Sequence, residues 1–114
     1  MANLLNKKCV PCEEGVSPLS KEECEKLLKQ LKGWDLVDYK KISKNLQFQD
    51  FKESMEFVNK VADVSERENH HPDILIYQWN KVKIEIYTHA IGGLSENDFI
   101  LAAKIDKVLE DYGK

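Results

Sequence analysis

The chain has 114 residues and a mass of 13.2 kDa, which fits one compact domain and leaves little room for a second. Its 17 basic and 20 acidic residues give a net charge of −3, which argues against a general nucleic-acid binder because such proteins carry a basic excess. No apolar run approaches the ~18 residues of a membrane span, and the first residues lack the apolar stretch of a secretory signal. Three cysteines are too few for a disulfide framework, so we expect a reducing, cytoplasmic setting, with neither nucleic acid nor membrane as a partner.

Residues 1–19 predict an irregular N-terminal arm, because two prolines and a glycine interrupt them, and residues 20–114 predict a single domain. Within the arm, Cys9 and Cys12 form a lone Cys-x-x-Cys. This motif is either a reactive thiol or half of a metal site, or else part of an ordered arm that packs on the domain. We favour the packed arm, because the chain has no second cysteine pair and no βαβ pattern that would make the first a redox motif.

The domain predicts three helices and four strands in the order α-β-β-α-β-β-α. Each helix begins at a capping residue that is followed three positions later by an acidic side chain, namely at Ser20, Asp50 and Ser95. The strands are predicted at residues 34–37, 42–48, 73–79 and 82–88. Because hairpins joined by helices favour an antiparallel sheet, we predict an α+β fold, a four-stranded antiparallel sheet with three helices on one face.

The last two strands bring the histidines of the chain together. The three histidines are His70, His71 and His89. If Asn80-Lys81 is a two-residue hairpin loop, Pro72 faces His89 across the two strands. The hairpin then returns the third histidine to the neighbourhood of the other two, and the sequence predicts a three-histidine cluster at one end of the sheet.

The same pairing assigns the two faces of the hairpin. The face that packs on the helices is predicted to hold Leu75, Tyr77, Trp79, Val82, Ile84 and Ile86. The open face becomes apolar towards the histidines through Ile74, Ile76 and Tyr87. A partner or a flat aromatic ligand would explain this gradient, and β-propensity alone is the other explanation.

Histidine titrates near neutrality, so each imidazole of the cluster can donate or accept a proton. With no nucleophile partner and no cofactor motif, the cluster suits proton-transfer chemistry such as the elimination or addition of water. Strand parity places His70 and His89 on one face and His71 on the other. Glu66 and Asp98 flank the cluster, and either could orient an imidazole. The alternatives are a solvent-exposed helix position for Glu66 and simple helix capping for Asp98.

A metal site is the competing interpretation, because three histidines and a carboxylate could bind zinc. The side chains of His70 and His71 diverge in an extended chain, and their spacing is not that of the usual zinc ligands. We therefore expect no metal.

Two motifs carry a resemblance to a known family. Glu-x-x-x-His-His-Pro begins at Glu66, and Thr-His-x-x-x-Gly-Leu-Ser-x-x-Asp begins at Thr88. Over residues 20–109 the chain resembles the pterin-4a-carbinolamine dehydratase family, and the Cys-x-x-Cys arm looks like that of bacterial members. The resemblance implies an enzyme that removes water from 4a-hydroxytetrahydropterin to give quinonoid dihydropterin, with no cofactor because no redox change occurs.

The resemblance also implies roles for individual residues. All three histidines would take part in catalysis and contact the substrate, His70 and His89 as the acid–base pair and His71 chiefly by binding the pterin. The supporting acidic residues would be Glu66 and Asp98. The residues that line the pocket would be Pro72, Thr88 and Ala90.

The resemblance further implies partners. The enzyme would act in tetrahydrobiopterin recycling beside an aromatic amino-acid hydroxylase, as a homodimer or homotetramer in which two sheets join edge to edge. The alternative is a non-enzymatic dimerisation cofactor like that formed by animal relatives. That function would require an exposed helix face.

Overall fold

The computed structural model describes residues 3–9 and 17–114. The helices are α1 (Lys21–Leu28), α2 (Phe51–Glu68) and α3 (Glu96–Leu109). The strands are β1 (Asp35–Val37), β2 (Lys41–Gln47), β3 (Asp73–Tyr77) and β4 (Lys81–Ile86). The predicted order of elements is confirmed, and the antiparallel strands lie in the order β1-β2-β4-β3, which leaves β1 and β3 at the edges. Within these described residues, no helix is both long and apolar enough to cross a membrane.

The helix starts follow from local capping. The Ser20 hydroxyl accepts the N–H of Glu23, and the Glu23 carboxylate accepts the N–H of Ser20. Asp50 caps α2 by accepting the N–H of Glu53. Each bond satisfies a backbone donor that a helix leaves unpaired at its first turn, so these starts could be predicted from the sequence alone.

The β3–β4 hairpin has a register that differs from the predicted one. Tyr77 pairs with Lys81, so residues 78–80 form a three-residue loop in place of the predicted two-residue loop. The first two loop residues, Gln78 and Trp79, have φ values of 46° and 52° in the left-handed region. The prediction was wrong because side chains of this size seldom adopt positive φ, whereas asparagine at the next position is typical of a tight turn.

The longer loop reverses the predicted faces of β3, because a shift by an odd number of residues turns every side chain over. Ile74 and Ile76, predicted on the open face, pair with buried β4 residues and pack against the core. Leu75, predicted to be buried, is 54% exposed, and Tyr77 shares its face by alternation. Trp79 is 64% exposed at the loop. The assignment of β4 is correct, since its inward side chains are fully buried.

The core lies between one face of the sheet and the helices. Val82, Ile84 and Ile86 of β4 are fully buried, as are Phe57 of α2 and Phe99 of α3. The aromatic ring of Phe57 lies 4.9 Å from that of Phe48, centroid to centroid. Helix α3 contributes more buried apolar residues than α1, so the packing of α3 on the sheet fixes where its first residues lie.

One charged pair lies at the edge of this core. The Lys44 ammonium contacts a carboxylate oxygen of Asp106 at 2.9 Å, and both side chains are largely buried. Asp106 also accepts the indole N–H of Trp34 and the backbone N–H of Lys32. The Lys44 ammonium in turn donates to the Lys32 carbonyl oxygen at 2.6 Å. These bonds tie β2 and the segment before β1 to α3.

Replacing Asp106 by alanine should therefore lower the free energy of unfolding by about 3 kcal/mol, because the buried ammonium loses its counter-ion. Urea unfolding at neutral pH measures this change. The double variant Asp106→Ala/Lys44→Met should recover a large part of the loss. A double variant no more stable than Asp106→Ala would contradict the role assigned to the pair.

Candidate active site

The turn that follows α2 positions two of the histidines. Asn69 ends the helix in the left-handed conformation, with φ 52°. Its N–H bonds back to the last helical turn, and the N–H of His70 bonds to the carbonyl oxygen of Ser65 at 3.2 Å. The chain thus reverses at Asn69, which is one of the few residue types that adopt this conformation readily. Pro72 then leads the chain into β3.

His70 and Asp98 form the central contact of the site. The Nε2 atom of His70 lies 2.6 Å from Oδ1 of Asp98. The Asp98 side chain is completely buried, and that of His70 is only 13% exposed. The two residues belong to the turn after α2 and to the first turn of α3, so the contact joins two parts of the chain 28 residues apart.

The second oxygen of Asp98 is also occupied. Oδ2 accepts the hydroxyl of Thr88 at 2.8 Å and the backbone N–H of Ser95 at 2.8 Å. Asp98 therefore both caps α3 and contacts an imidazole, so the two interpretations offered by the sequence hold together. A carboxylate only accepts hydrogen bonds, so Nε2 of His70 is the donor in this contact, and Nδ1 takes no part in it.

A small closed loop presents the third histidine. Thr88 forms an isolated bridge with Gly93, and the residues between them form a 3-10 turn over His89–Ile91. A side chain at Gly93 would place a Cβ atom 2.9 Å from Pro18, so this close approach requires glycine. His89 is exposed, and its ring lies 4.3 Å from that of Tyr87. The contact with Tyr87 depends on the loop and was not predicted.

The corrected register explains why these residues meet. Counting on from the Asp73–Glu85 pair along the antiparallel ladder places His70 beside Thr88, and both side chains bond Asp98. Pro72 is therefore not opposite His89, as the predicted register had it. His89 directly follows Thr88, so its backbone lies next to the His70–Asp98 pair.

Glu66 serves the other histidine of the turn. Its carboxylate lies 2.5 Å from Nε2 of His71, and the two side chains are 76% and 57% exposed. The structure therefore gives each neighbouring histidine its own acidic partner, buried for His70 and exposed for His71. Pro72 is half-buried, and Ala90 is exposed in the 3-10 turn.

Residues 17–108 match the sequence profile of the pterin 4 alpha carbinolamine dehydratase family. The chain belongs to this family. A protein of Nitrosomonas europaea, provisionally named pterin-4-alpha-carbinolamine dehydratase, is 54% identical over 112 residues and covers 96% of each chain. The mitochondrial pterin-4-alpha-carbinolamine dehydratase 2 of Arabidopsis thaliana is 46% identical, over 95% of this chain and 60% of its own.

The fold agrees with the family. A transcriptional coactivator/pterin dehydratase from Brucella melitensis aligns with a TM-score of 0.75 and 29% identity, over 81% of this chain and 98% of its own. The resemblance noted from the two motifs is thus confirmed at the level of family and fold. Among the residues that the structure describes, no three His, Cys, Asp or Glu side chains are arranged to hold a metal ion. Cys12 lies outside the described residues, so the Cys-x-x-Cys motif is described only at Cys9.

Proposed function

We propose that the chain is a dehydratase that converts 4a-hydroxytetrahydropterin into quinonoid dihydropterin and water. The observation that carries the proposal is the His70–Asp98 pair, in which a fully buried carboxylate orients an imidazole at one end of the sheet. Membership of the pterin 4 alpha carbinolamine dehydratase family supports the choice of substrate. The names of the relatives point to the same reaction.

The proposed reaction needs only two proton transfers. The C4a–O bond of the substrate breaks, and a protonated imidazole gives its proton to the departing hydroxyl group, which leaves as water. The N5 lone pair forms the C4a=N5 double bond, and the N5 proton passes to a base. After the reaction the acid is neutral and the base is protonated. Transfer of one proton from the base to the acid, directly or through water, returns both groups to their starting states. Each positioned transfer contributes roughly a hundred- to ten-thousandfold in rate.

His70 and His89 are the proposed acid–base pair. Asp98 holds the His70 ring, whereas His89 stands exposed in the 3-10 turn, where it can meet a ligand. His71, with its exposed Glu66 partner, is proposed to bind the pterin. Pro72, Thr88 and Ala90 are proposed to line the pocket. Thr88 is buried and its hydroxyl is bonded to Asp98, so its proposed part in the pocket is to support the residues around it.

The physiological part of the proposal rests on the family resemblance, which implies that the reaction belongs to tetrahydrobiopterin recycling beside an aromatic amino-acid hydroxylase. A cytoplasmic location is part of this proposal, although the name of the Arabidopsis relative places that protein in mitochondria.

Replacing His70 or His89 by alanine should lower the dehydration rate at least about tenfold, because each removes one proton transfer. His71→Ala should slow the reaction mainly at low substrate concentration, because it removes a binding contact. The rates are measured by stopped-flow absorbance with 4a-hydroxytetrahydropterin made in situ, and circular dichroism checks the fold. Near-normal rates in both His70→Ala and His89→Ala would sink the assignment.

A non-enzymatic binding module is the second candidate. Phe51 and Met55 lie one turn apart on α2 and are 53% and 38% exposed, which supplies the apolar helix face that such a function requires. The Brucella melitensis protein is named a transcriptional coactivator as well as a pterin dehydratase. The dehydration assay on the wild-type chain separates the two candidates.

Self-association is also part of the proposal. Among residues 3–9 and 17–114, β3 pairs only with β4 and so lies at the edge of the sheet, and it is short and largely apolar. Leu75 and Trp79 expose large apolar side chains on or beside this strand. Two-fold pairing of copies is the commonest way to cover such a surface.

We therefore expect light scattering at micromolar concentration to give a mass at least twice that of the 13.2 kDa chain. Leu75→Glu should shift the equilibrium towards monomer, because it places a charge at the proposed interface. Asn45→Glu, at an exposed position of the internal strand β2, is the matched control and should not. A monomeric wild-type chain with full activity would refute the proposal.

A further inference from the structure

Glu68 is a buried carboxylate that the proposed mechanism does not use. It is the last residue of α2 and only 9% exposed. Its Oε1 atom accepts the backbone N–H of Cys9 at 2.9 Å, and its Oε2 atom forms an ion pair with the Lys104 ammonium at 2.8 Å. Through these two bonds the Glu68 carboxylate connects α2 to α3 and to residues 3–9, which we call the N-terminal segment.

The N-terminal segment is anchored along its length. Leu4 is 1% exposed and belongs to the hydrophobic core, and its N–H donates to the side chain of Gln30 at 3.2 Å. Lys7 forms an ion pair with Glu96, the first residue of α3, at 2.8 Å. The segment is therefore a packed part of the domain.

Cys9 contacts both the last residue of α2 and the first turn of α3, the two helix ends beside the proposed site. Its N–H binds Glu68, and its thiol lies 3.5 Å from the carbonyl oxygen of Asn97. Burial and the nearby Glu68 carboxylate raise the pKa of the Cys9 thiol to about 12, so the thiol remains protonated at neutral pH. Burial acts to raise the pKa of Glu68, but bonds from Lys104 and Cys9 outweigh it and hold that pKa below its usual range.

The two contacts of Cys9 lie directly beside the proposed acid–base machinery. Glu68 precedes His70 by two residues, and Asn97 is the neighbour of Asp98. We propose that Glu68 is a positioning residue: by binding the N-terminal segment and Lys104, it holds the turn after α2 against the start of α3, so that His70 meets Asp98. The catalytic part of this inference rests on the proposed function.

The physical reason is the sensitivity of proton transfer to geometry. The 2.6 Å contact between His70 and Asp98 joins two chain segments that are not neighbours in sequence. Without the Glu68 carboxylate, the Cys9 N–H and the Lys104 ammonium lose their partner, and the end of α2 loses its bonds to both. A displacement of about 1 Å in a catalytic group can cost about a hundredfold in rate.

Kinetics give the first test. Glu68→Ala should lower kcat about tenfold or more, because the His70–Asp98 contact is displaced, and KM should rise as well, because the same turn carries His71 and Pro72. Cys9→Ser is the matched control for the segment, since it keeps both the backbone donor to Glu68 and a side-chain donor near Asn97, and its kcat should stay within about threefold of wild type. Asp63→Ala is the control for an exposed acidic side chain on α2 and should behave like wild type.

Nitrogen-15 NMR of the imidazoles gives a readout that does not depend on activity. In the wild type, His70 should carry its proton on Nε2, and Glu68→Ala should reduce or broaden that signature. The signals of His71 should change less than those of His70, because its bond to Glu66 lies on the exposed side of the turn and does not involve α3. If the wild type lacks dehydratase activity, the proposed function fails, and the His70 spectrum still decides the positioning role.

A second variant keeps the test decisive if Glu68→Ala does not fold. Glu68→Leu/Lys104→Met replaces the ion pair by apolar side chains of similar volume, a change that buried pairs often tolerate. It still removes the acceptor of the Cys9 N–H, so the same loss of kcat and of the His70 signature is expected. A folded variant with wild-type kcat and an unchanged His70 spectrum overturns the inference.

Discussion

The interaction on which the site depends is the burial of the Asp98 carboxylate at the start of α3. It completes the helix cap, bonds the hydroxyl of Thr88 and contacts His70, and no part of its side chain is exposed. A buried charge is costly unless it is paired and hydrogen-bonded, so the loop that ends at Gly93 and the turn after α2 must both be present for Asp98 to be accommodated. The same contacts that stabilise the helix start also orient the imidazole.

The rest of the fold holds the elements that meet at Asp98. Helix α3 is fixed by its buried apolar side chains, and the Lys44–Asp106 pair joins its later turns to β2. Glu68 joins the end of α2 to α3 and to the N-terminal segment, on the side where His70 leaves the helix. The site is thus supported by two charged junctions on α3, both largely buried. The position of α3 matters most for the site, because Asp98 on this helix contacts both His70, in the turn after α2, and Thr88, where the loop begins.

The helices and the order of elements could be predicted from the sequence, because capping acts within four residues. The hairpin register could not, since it depends on two left-handed residues, Gln78 and Trp79, that carry no turn signal. This one error exchanged the faces of β3 and misplaced the partner of His89. The motif residues around Asp98 could be identified from the sequence, but which side chain contacts which could not. The sequence did not indicate that Glu66 pairs with His71 or that the Glu68 side chain is buried. Both features depend on how the chain turns at Asn69, at the end of α2.

The central claim is that Asp98 holds His70 in the orientation and tautomer that proton transfer requires. The most direct test is the kcat of Asp98→Asn for dehydration of 4a-hydroxytetrahydropterin, at a temperature where circular dichroism shows the variant folded, beside Glu66→Gln as the exposed counterpart. We predict that Asp98→Asn lowers kcat at least about a hundredfold, since the amide removes the charge that orients the imidazole, and that Glu66→Gln has a much smaller effect. A folded Asp98→Asn variant with kcat within a few-fold of wild type would show that the buried carboxylate serves the helix cap alone.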